Sequence, residues 1–162
     1  MFNLTRYYSI ASLVCIIVAA AILGMFYRHE SMTSLLNVAE DRNAALTRVF
    51  GNALWPHFSP LLKQGSASHP IDPAGPEIAN LRKQVVALMK DTSAVKVKVY
   101  NMQGVTVFST EANQIGEDKH ANAGYLAAAQ GRVASELTHR NKFSAFDGVI
   151  ESRDLLSSYI PF

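Results

Sequence analysis

An uninterrupted apolar segment near the N-terminus constrains this chain more than any other feature of its sequence. No charged residue occurs between Tyr7 and Tyr27, and an arginine flanks each end. About 20 such residues in a helix, rising roughly 1.5 Å each, span the ~30 Å hydrocarbon core of a bilayer. Aromatic rings at both ends suit the level of the lipid headgroups. The sequence therefore predicts a transmembrane helix over residues 7–27.

A cleavable signal peptide is the competing interpretation of this segment. The apolar region of a signal peptide is normally about 7–15 residues long and leads to small residues at a cleavage site. Here the run is longer, and Leu23, Met25 and Phe26 occupy the place where that site would lie. An uncleaved anchor is therefore favoured. Lysines and arginines are almost balanced on its two sides, so charge alone does not set the orientation.

A heptad pattern follows the apolar segment over residues 28–55, which we expect to form a helical stalk. Its members recur at alternating spacings of four and three, the a/d pattern of a coiled coil. They are Met32, Leu36, Ala39, Asn43, Leu46 and Phe50. A polar residue in the seam, Asn43, suits a two-stranded register, so we expect a homodimer. The alternative is that this helix packs its apolar stripe on the core of its own chain.

A folded domain is predicted beyond a loop or hinge over residues 56–76, which are rich in proline, glycine and serine. The stalk helix is expected to end before Pro56, because the residue that precedes a proline disfavours the α conformation. Residues 77–89 have helical periodicity. Residues 95–109 alternate as two strands around a turn at Asn101–Gly104, which predicts a hairpin.

The C-terminal part of the sequence repeats these patterns. A short alanine-rich helix is predicted over residues 123–130, ending at a glycine. Strands are predicted over 132–139 and 155–162, joined by a turn over 141–148. The whole order predicts an α+β fold, in which a transmembrane helix and a stalk precede an antiparallel sheet with flanking helices.

Four segments, 95–110, 114–119, 131–140 and 154–161, together with the element order, resemble the extracytoplasmic PAS-like sensor domains of the Cache family. With its anchor, the chain resembles the input region of transmembrane histidine kinases and diguanylate cyclases. The resemblance implies a signal-transduction sensor of the bacterial inner membrane, with residues 1–6 on the cytoplasmic side and residues 77–162 as the PAS-like domain in the periplasm. Such domains add a fifth strand, a second membrane helix and an output module. The sequence is therefore expected to be a fragment that lacks the last strand and the output.

The resemblance also implies a small ligand held between the sheet and the loop and helix on its face. In this chain that face would carry Tyr100, Phe108, Tyr125, Arg132 and Arg140. An arginine fork suits a carboxylate, and a tyrosine adds a hydroxyl donor to an apolar ring. Taken singly, each of these residues has an ordinary explanation as a core aromatic or a surface charge.

Other classes of function find no support in the sequence. Basic residues are not interleaved with aromatic ones, so nucleic-acid binding has no electrostatic basis. Metal-ligand spacings are absent, and the charged run Glu117–His120 is expected to be solvated surface. Ser135 and His139 share a strand face that excludes Glu136, so no catalytic triad is predicted. We expect neither catalysis nor a cofactor. The alternative to a sensor is a single-pass anchored adaptor or structural protein that binds another protein without a small ligand.

Overall fold

The computed structural model describes residues 2–63 and 71–162, and the chain divides into two units, Met1–Ala39 and Glu40–Phe162. It is α+β, as predicted, with a long apolar helix at the N-terminus. The elements in chain order are α1 (Phe2–Leu62), α2 (Pro76–Met89), β1 (Lys98–Tyr100), β2 (Thr106–Ser109), a 3-10 helix (Ala112–Gln114), α3 (Ala123–Ala129), β3 (Ala134–Ala145) and β4 (Gly148–Tyr159).

Helix α1 continues through Pro56 and Pro60, so the prediction that it ends before Pro56 is wrong. A proline inside a helix removes a backbone hydrogen bond and costs about 3 kcal/mol. Two residues beyond Pro56 offset that cost, since Phe58 and Leu61 are each only 2% exposed. Burying an apolar side chain of this size contributes roughly 1.5–3 kcal/mol. Tertiary packing therefore extends the helix past the point where local propensity would end it.

The predicted loop over residues 56–76 is correspondingly shorter in the structure. Its first seven residues belong to α1, and residues 64–70 lie outside the described part of the chain. Asp72 and Gly75 form a turn in which the Gly75 N–H donates to the Asp72 carbonyl at 3.1 Å. Helix α2 then begins at Pro76, as expected for a proline in a first helical turn.

The core of the second unit forms where the end of α1, helix α2 and one face of the β1–β2 hairpin meet. Each helix presents apolar residues three or four positions apart, so that they share one face. The main members are Phe50, Leu54, Phe58 and Leu61 from α1, Ile78, Leu81, Val85 and Met89 from α2, and Val99, Val107 and Phe108 from the hairpin. The predicted helix over residues 77–89 is confirmed. Its buried face ends at Met89, whereas Leu88 is 41% exposed.

The β1–β2 hairpin is also confirmed, with a shorter first strand than predicted. The strands are antiparallel, and Val99 is opposite Phe108. The turn closes where the Gly104 N–H donates to the Asn101 carbonyl at 3.0 Å. Gly104 has a φ of +83°, and a Cβ there would lie 2.6 Å from the backbone of His120. Only glycine fits this turn without moving the following loop.

Strands β3 and β4 form a longer hairpin than the sequence predicted. The predicted turn over residues 141–148 is wrong, because most of it is strand: Lys142 is opposite Glu151 and Phe143 is opposite Ile150. The chain reverses only at Phe146 and Asp147, between the paired residues Ala145 and Gly148. Gly148 adopts a φ of +140°, which allows this two-residue reversal.

The two hairpins form separate two-stranded sheets rather than one predicted PAS-like sheet. They do touch each other. The Phe146 N–H donates to the Val95 carbonyl at 3.3 Å, and the rings of Tyr100 and Tyr159 stack with centroids 6.1 Å apart. Among the described strands, the α+β class therefore holds, and the sheet itself is divided in two.

Candidate functional site on the hairpin face

Helix α1 is long and apolar enough to cross a membrane, and its most apolar 18-residue window is not buried at all within the chain. Large side chains are exposed along it, including Ile16 at 62% and Leu23 at 70%. A helix that is apolar on all sides is stable only in an apolar surrounding. This stretch therefore suggests that the protein is anchored in a membrane.

The predicted stalk stripe divides between the two units. In the first unit, Met32 is 50% exposed, and Leu36 and Ala39 are half-buried. In the second unit, Leu46 packs against the core and Phe50 belongs to it. Asn43 donates from Nδ2 to the Ser158 hydroxyl at 2.9 Å. The last three residues of the stripe thus contact their own chain, and the homodimer stays a prediction.

A polar and aromatic face of the first hairpin, formed by Lys96, Lys98 and Tyr100, lies opposite the core. Val97 packs against the core and Val99 is part of it, whereas these three residues are not among the core members. All three are half-buried rather than fully solvated. We call this set the hairpin face. A partly desolvated group of two cations and a phenol is able to hold an anion.

Glu117 is the acidic partner of the hairpin face. Its carboxylate lies 3.1 Å from Lys98 Nζ and 3.3 Å from Lys119 Nζ. Desolvation of the carboxyl group works against its ionisation, but the hydrogen bonds and charges of the two lysines prevail and hold the pKa of Glu117 below its usual value. The Glu117 backbone carbonyl also accepts from the Thr106 N–H at 2.9 Å. The predicted solvated loop is therefore fastened to β2 at this point.

Lys96 lies beside the second hairpin. Its Nζ is 4.0 Å from the centre of the Phe143 ring, which is a cation–π contact. Burial lowers the pKa of Lys96, and the charges of Lys98 and Arg140 act in the same direction, while Glu111 and Glu117 oppose them. Arg140 is thus close enough to Lys96 to influence its ionisation, although its own side chain is exposed.

Three tyrosines close the other end of the hairpin face. The Tyr100 ring lies edge-on to the Tyr125 ring, with their centroids 6.0 Å apart, and it stacks on the Tyr159 ring. The Tyr125 hydroxyl donates to the Met102 carbonyl at 2.9 Å, which ties α3 to the β1–β2 turn. Burial, followed by the neighbouring Tyr159 and Glu117, raises the pKa of Tyr100. Gly124 allows this packing, because a Cβ there would collide with the Tyr159 ring.

The structure brings only some of the predicted ligand residues together. Tyr100 and Tyr125 are in contact, as the predicted site requires. Phe108 is fully buried on the other face of the hairpin, where the centroid of its ring lies 5.5 Å from that of the Phe58 ring. Arg132 is exposed and donates to the Gln130 side chain at 2.7 Å, whereas Arg140 is exposed near Lys96. The structure thus separates Phe108 from the tyrosines.

Sequence reasoning missed two members of the hairpin face, Lys96 and Lys98, and a residue that stacks on it, Tyr159. The two lysines alternate with valines in the sequence, and this spacing already places them on the face of Tyr100. Tyr159 carried no such signal, because its contact with Tyr100 depends on how two separate hairpins meet. Within residues 2–63 and 71–162, no cluster of three or more His, Cys, Asp or Glu side chains is arranged to hold a metal.

Comparison with known proteins supplies no relative for this chain. No protein-family model, no curated protein and no solved structure matches it.

Proposed function

We propose that this chain is the membrane-anchored sensor portion of a bacterial signal-transduction receptor. Its folded unit lies outside the cytoplasm and binds a small ligand, and a paired stalk passes the signal to a histidine kinase or diguanylate cyclase output module. The observation that carries the proposal is that α1 takes part in two structures. One helix contains both the apolar stretch and four residues of the core, Phe50, Leu54, Phe58 and Leu61.

The shared helix supports the proposal because it offers a physical link between ligand and membrane. Any ligand that changes how α2 and the first hairpin pack also changes the packing of Phe50 and Phe58. A ligand shifts a conformational equilibrium only by its difference in affinity for the two states. Small displacements of packed helices are a common form of such a switch.

The hairpin face supports a ligand that carries a carboxylate. Lys96 and Lys98 offer partly desolvated ammonium groups, the charge of Arg140 acts on Lys96, and Tyr100 provides an aromatic wall. Glu117 already neutralises part of this charge through Lys98. A carboxylate ligand would compete with the Glu117 side chain for Lys98. The backbone hydrogen bond from Thr106 to the Glu117 carbonyl would keep the loop attached to β2 during this exchange.

Disulfide cross-linking in membranes tests the proposal. In a Cys15→Ala background, Met32→Cys lies on the predicted seam and Ser34→Cys lies off it. We expect Met32→Cys to form a disulfide-linked dimer in at least fivefold higher yield than Ser34→Cys. Sodium succinate, used as the probe, should change the Met32→Cys yield, and Arg140→Gln together with Lys98→Gln should remove the change.

Equal yields at the two positions would contradict the paired stalk. A yield that succinate, acetate and other small carboxylates all leave unchanged would contradict the sensing role of the hairpin face. Ser34→Cys also reports orientation. It should react with a membrane-impermeant maleimide in cells whose outer membrane alone is permeabilised, and a reaction only after lysis would place the folded unit in the cytoplasm.

One observation favours the second candidate, an anchored adaptor that binds another protein. The β3–β4 hairpin is twelve residues long on each side, yet most of its side chains are exposed, including Leu137 at 43% and Val149 at 66%. Isolated two-stranded hairpins are only marginally stable in water. A partner strand added to this hairpin would stabilise it without any small ligand.

A further inference from the structure

The end of the second hairpin and the residues that follow it contact helix α1 at several points. The Ser158 hydroxyl accepts a hydrogen bond from Asn43 Nδ2 at 2.9 Å. The Phe162 ring lies edge-on to the Trp55 ring, with their centroids 6.0 Å apart. The same ring packs so closely on α1 that a Cβ at Gly51 would lie 3.0 Å from it. These contacts join the far end of the chain to the predicted stalk helix.

The contacted positions of α1 lie along one ridge of that helix. Asn43, Gly51 and Trp55 are separated by multiples of four residues, and residues four apart are neighbours on a helix surface. All of them belong to the second unit of the chain. We call residues 158–162 the latch, because they hold this ridge of α1 against the second hairpin.

The latch meets the predicted stalk seam at Asn43. A polar residue in the seam fixes the register of a two-stranded coiled coil, in which it lies opposite the same residue of the partner helix. Here the Asn43 side chain is half-buried, and its amide donates to Ser158 instead. The next seam residues, Leu46 and Phe50, pack on the core or belong to it. Asn43 is therefore the last seam residue that a second copy reaches without opening the core, and the latch occupies its amide.

The latch also contacts the hairpin face. Tyr159 follows Ser158 in the chain, and its ring stacks on the Tyr100 ring with centroids 6.1 Å apart. Successive residues of a strand point to opposite sides, which allows Ser158 to contact the stalk while Tyr159 contacts Tyr100. Two adjacent residues thus connect the proposed ligand site with the proposed dimer seam.

We propose that the latch couples ligand binding at the hairpin face to pairing of the stalk, an inference that rests on the proposed function. A ligand whose apolar part packs on the Tyr100 ring displaces the Tyr159 ring that stacks there. Movement of Tyr159 withdraws Ser158 from Asn43, and the freed amide pairs with the same residue of a second copy. The ligand favours this open state because only there is the Tyr100 ring available to it.

Cross-linking in membranes tests the latch. The parent protein carries Cys15→Ala and Met32→Cys, and Ser158→Ala removes the acceptor of Asn43 without changing the seam. We expect Ser158→Ala to raise the yield of disulfide-linked dimer about threefold in the absence of ligand, an effect of the order expected when one hydrogen bond is lost. Sodium succinate, used as the probe, should raise the yield of the parent and add little to that of Ser158→Ala.

Ser135→Ala is the matched control. The Ser135 hydroxyl donates to the Ser158 hydroxyl at 2.9 Å, so this substitution removes a hydrogen bond of Ser158 and leaves the one from Asn43. Its yield should equal that of the parent with and without succinate. Tyr159→Leu removes the stack on Tyr100 and tests the coupling by a second route if Ser158→Ala melts early. It should raise the yield and make it insensitive to succinate.

The outcomes distinguish the latch from the paired stalk. A parent that cross-links better at position 32 than at position 34, with the same yield in Ser158→Ala and Tyr159→Leu, would overturn the latch and leave the paired stalk standing. A rise in Ser158→Ala that Ser135→Ala reproduces would overturn the role of Asn43. A rise in Ser158→Ala without any response of the parent to succinate would overturn the coupling to the ligand. Equal yields at positions 32 and 34 in every variant would overturn the paired stalk and the latch with it.

Discussion

Leu23 and Phe26, in the first unit of the chain, are 70% and 75% exposed, whereas Phe58 and Met89, in the second, are 2% and 0% exposed. Both units are rich in large apolar side chains. In the first unit these side chains surround the helix on every side, and in the second they occupy one stripe that faces other elements. Only in the second arrangement does the protein itself bury the apolar side chains. The first is suited to an apolar surrounding such as a bilayer.

The largest expected contrast comes from deleting apolar volume in each unit. Phe58→Ala should lower the free energy of unfolding by about 3–5 kcal/mol, because a buried phenylalanine leaves a cavity. Ile17→Ala should leave the unfolding of the second unit unchanged, since Ile17 is 57% exposed within the chain. Denaturant unfolding in detergent, followed by the fluorescence of Trp55, measures both. Equal losses of unfolding free energy for the two substitutions would contradict this difference between the units.

Introducing an arginine should affect the first unit more than the second. Val18→Arg should impair membrane insertion by about 2.5–3.5 kcal/mol, which is the cost of an arginine at the centre of a membrane helix. Val49→Arg introduces the same side chain at a position of the second unit that is 59% exposed, and insertion should not change. The fraction of each variant that sediments with membranes checks this. Impaired insertion of Val49→Arg would show that the apolar segment extends beyond the first unit.

The two units should also differ in what a tyrosine hydroxyl contributes. Tyr125→Phe removes the donor to the Met102 carbonyl and should lower the free energy of unfolding by about 0.5–1.5 kcal/mol. Tyr27→Phe, at a residue 79% exposed, should have no effect on it. Thermal melts of both variants provide the measurement. A Tyr125→Phe protein as stable as the wild type would contradict a stabilising role for this hydrogen bond between α3 and the hairpin.

The smallest expected effect is the pH dependence of the Glu117 ion pairs. Since the folded pKa of Glu117 lies below its ordinary value of 4.5, its contribution is present above about pH 4.5 and is lost as the pH falls through the lowered pKa. Partly exposed pairs of this kind contribute about 0.5–1 kcal/mol. Glu117→Gln and Lys98→Met should each flatten the acid limb of a stability–pH profile. An acid limb as steep as in the wild type would contradict the role of these pairs.

Local patterns made some parts of the fold predictable. The residues of α2 recur on one face, and the valines of the first hairpin alternate with polar residues, so short-range spacing determines both elements. The end of α1 was not predictable in this way. Pro56 is a strong local signal to stop, and it is outweighed by the burial of Phe58 and Leu61 among residues far along the chain.

The second hairpin and the hairpin face show where sequence reasoning reaches its limit. Most side chains of β3 and β4 are exposed on both faces, so polarity could not distinguish strand from turn around Lys142. Tyr159 meets Tyr100 only because two hairpins come together. Among the described residues, the buried Nε and Nη2 atoms of Arg82 have no acceptor, and nothing in the spacing of α2 distinguishes Arg82 from the exposed Lys83.

Labelling of Cys15, the only cysteine of the chain, tests the membrane anchor most directly. Its side chain is exposed on the surface of α1, so in water a maleimide should react with it readily. The account predicts that a membrane-impermeant maleimide leaves Cys15 unlabelled in intact membranes and labels it after dissolution in sodium dodecyl sulfate, whereas Ser34→Cys in a Cys15→Ala background is labelled in both. Labelling of Cys15 in intact membranes at the rate of the cysteine at position 34 would contradict the anchor.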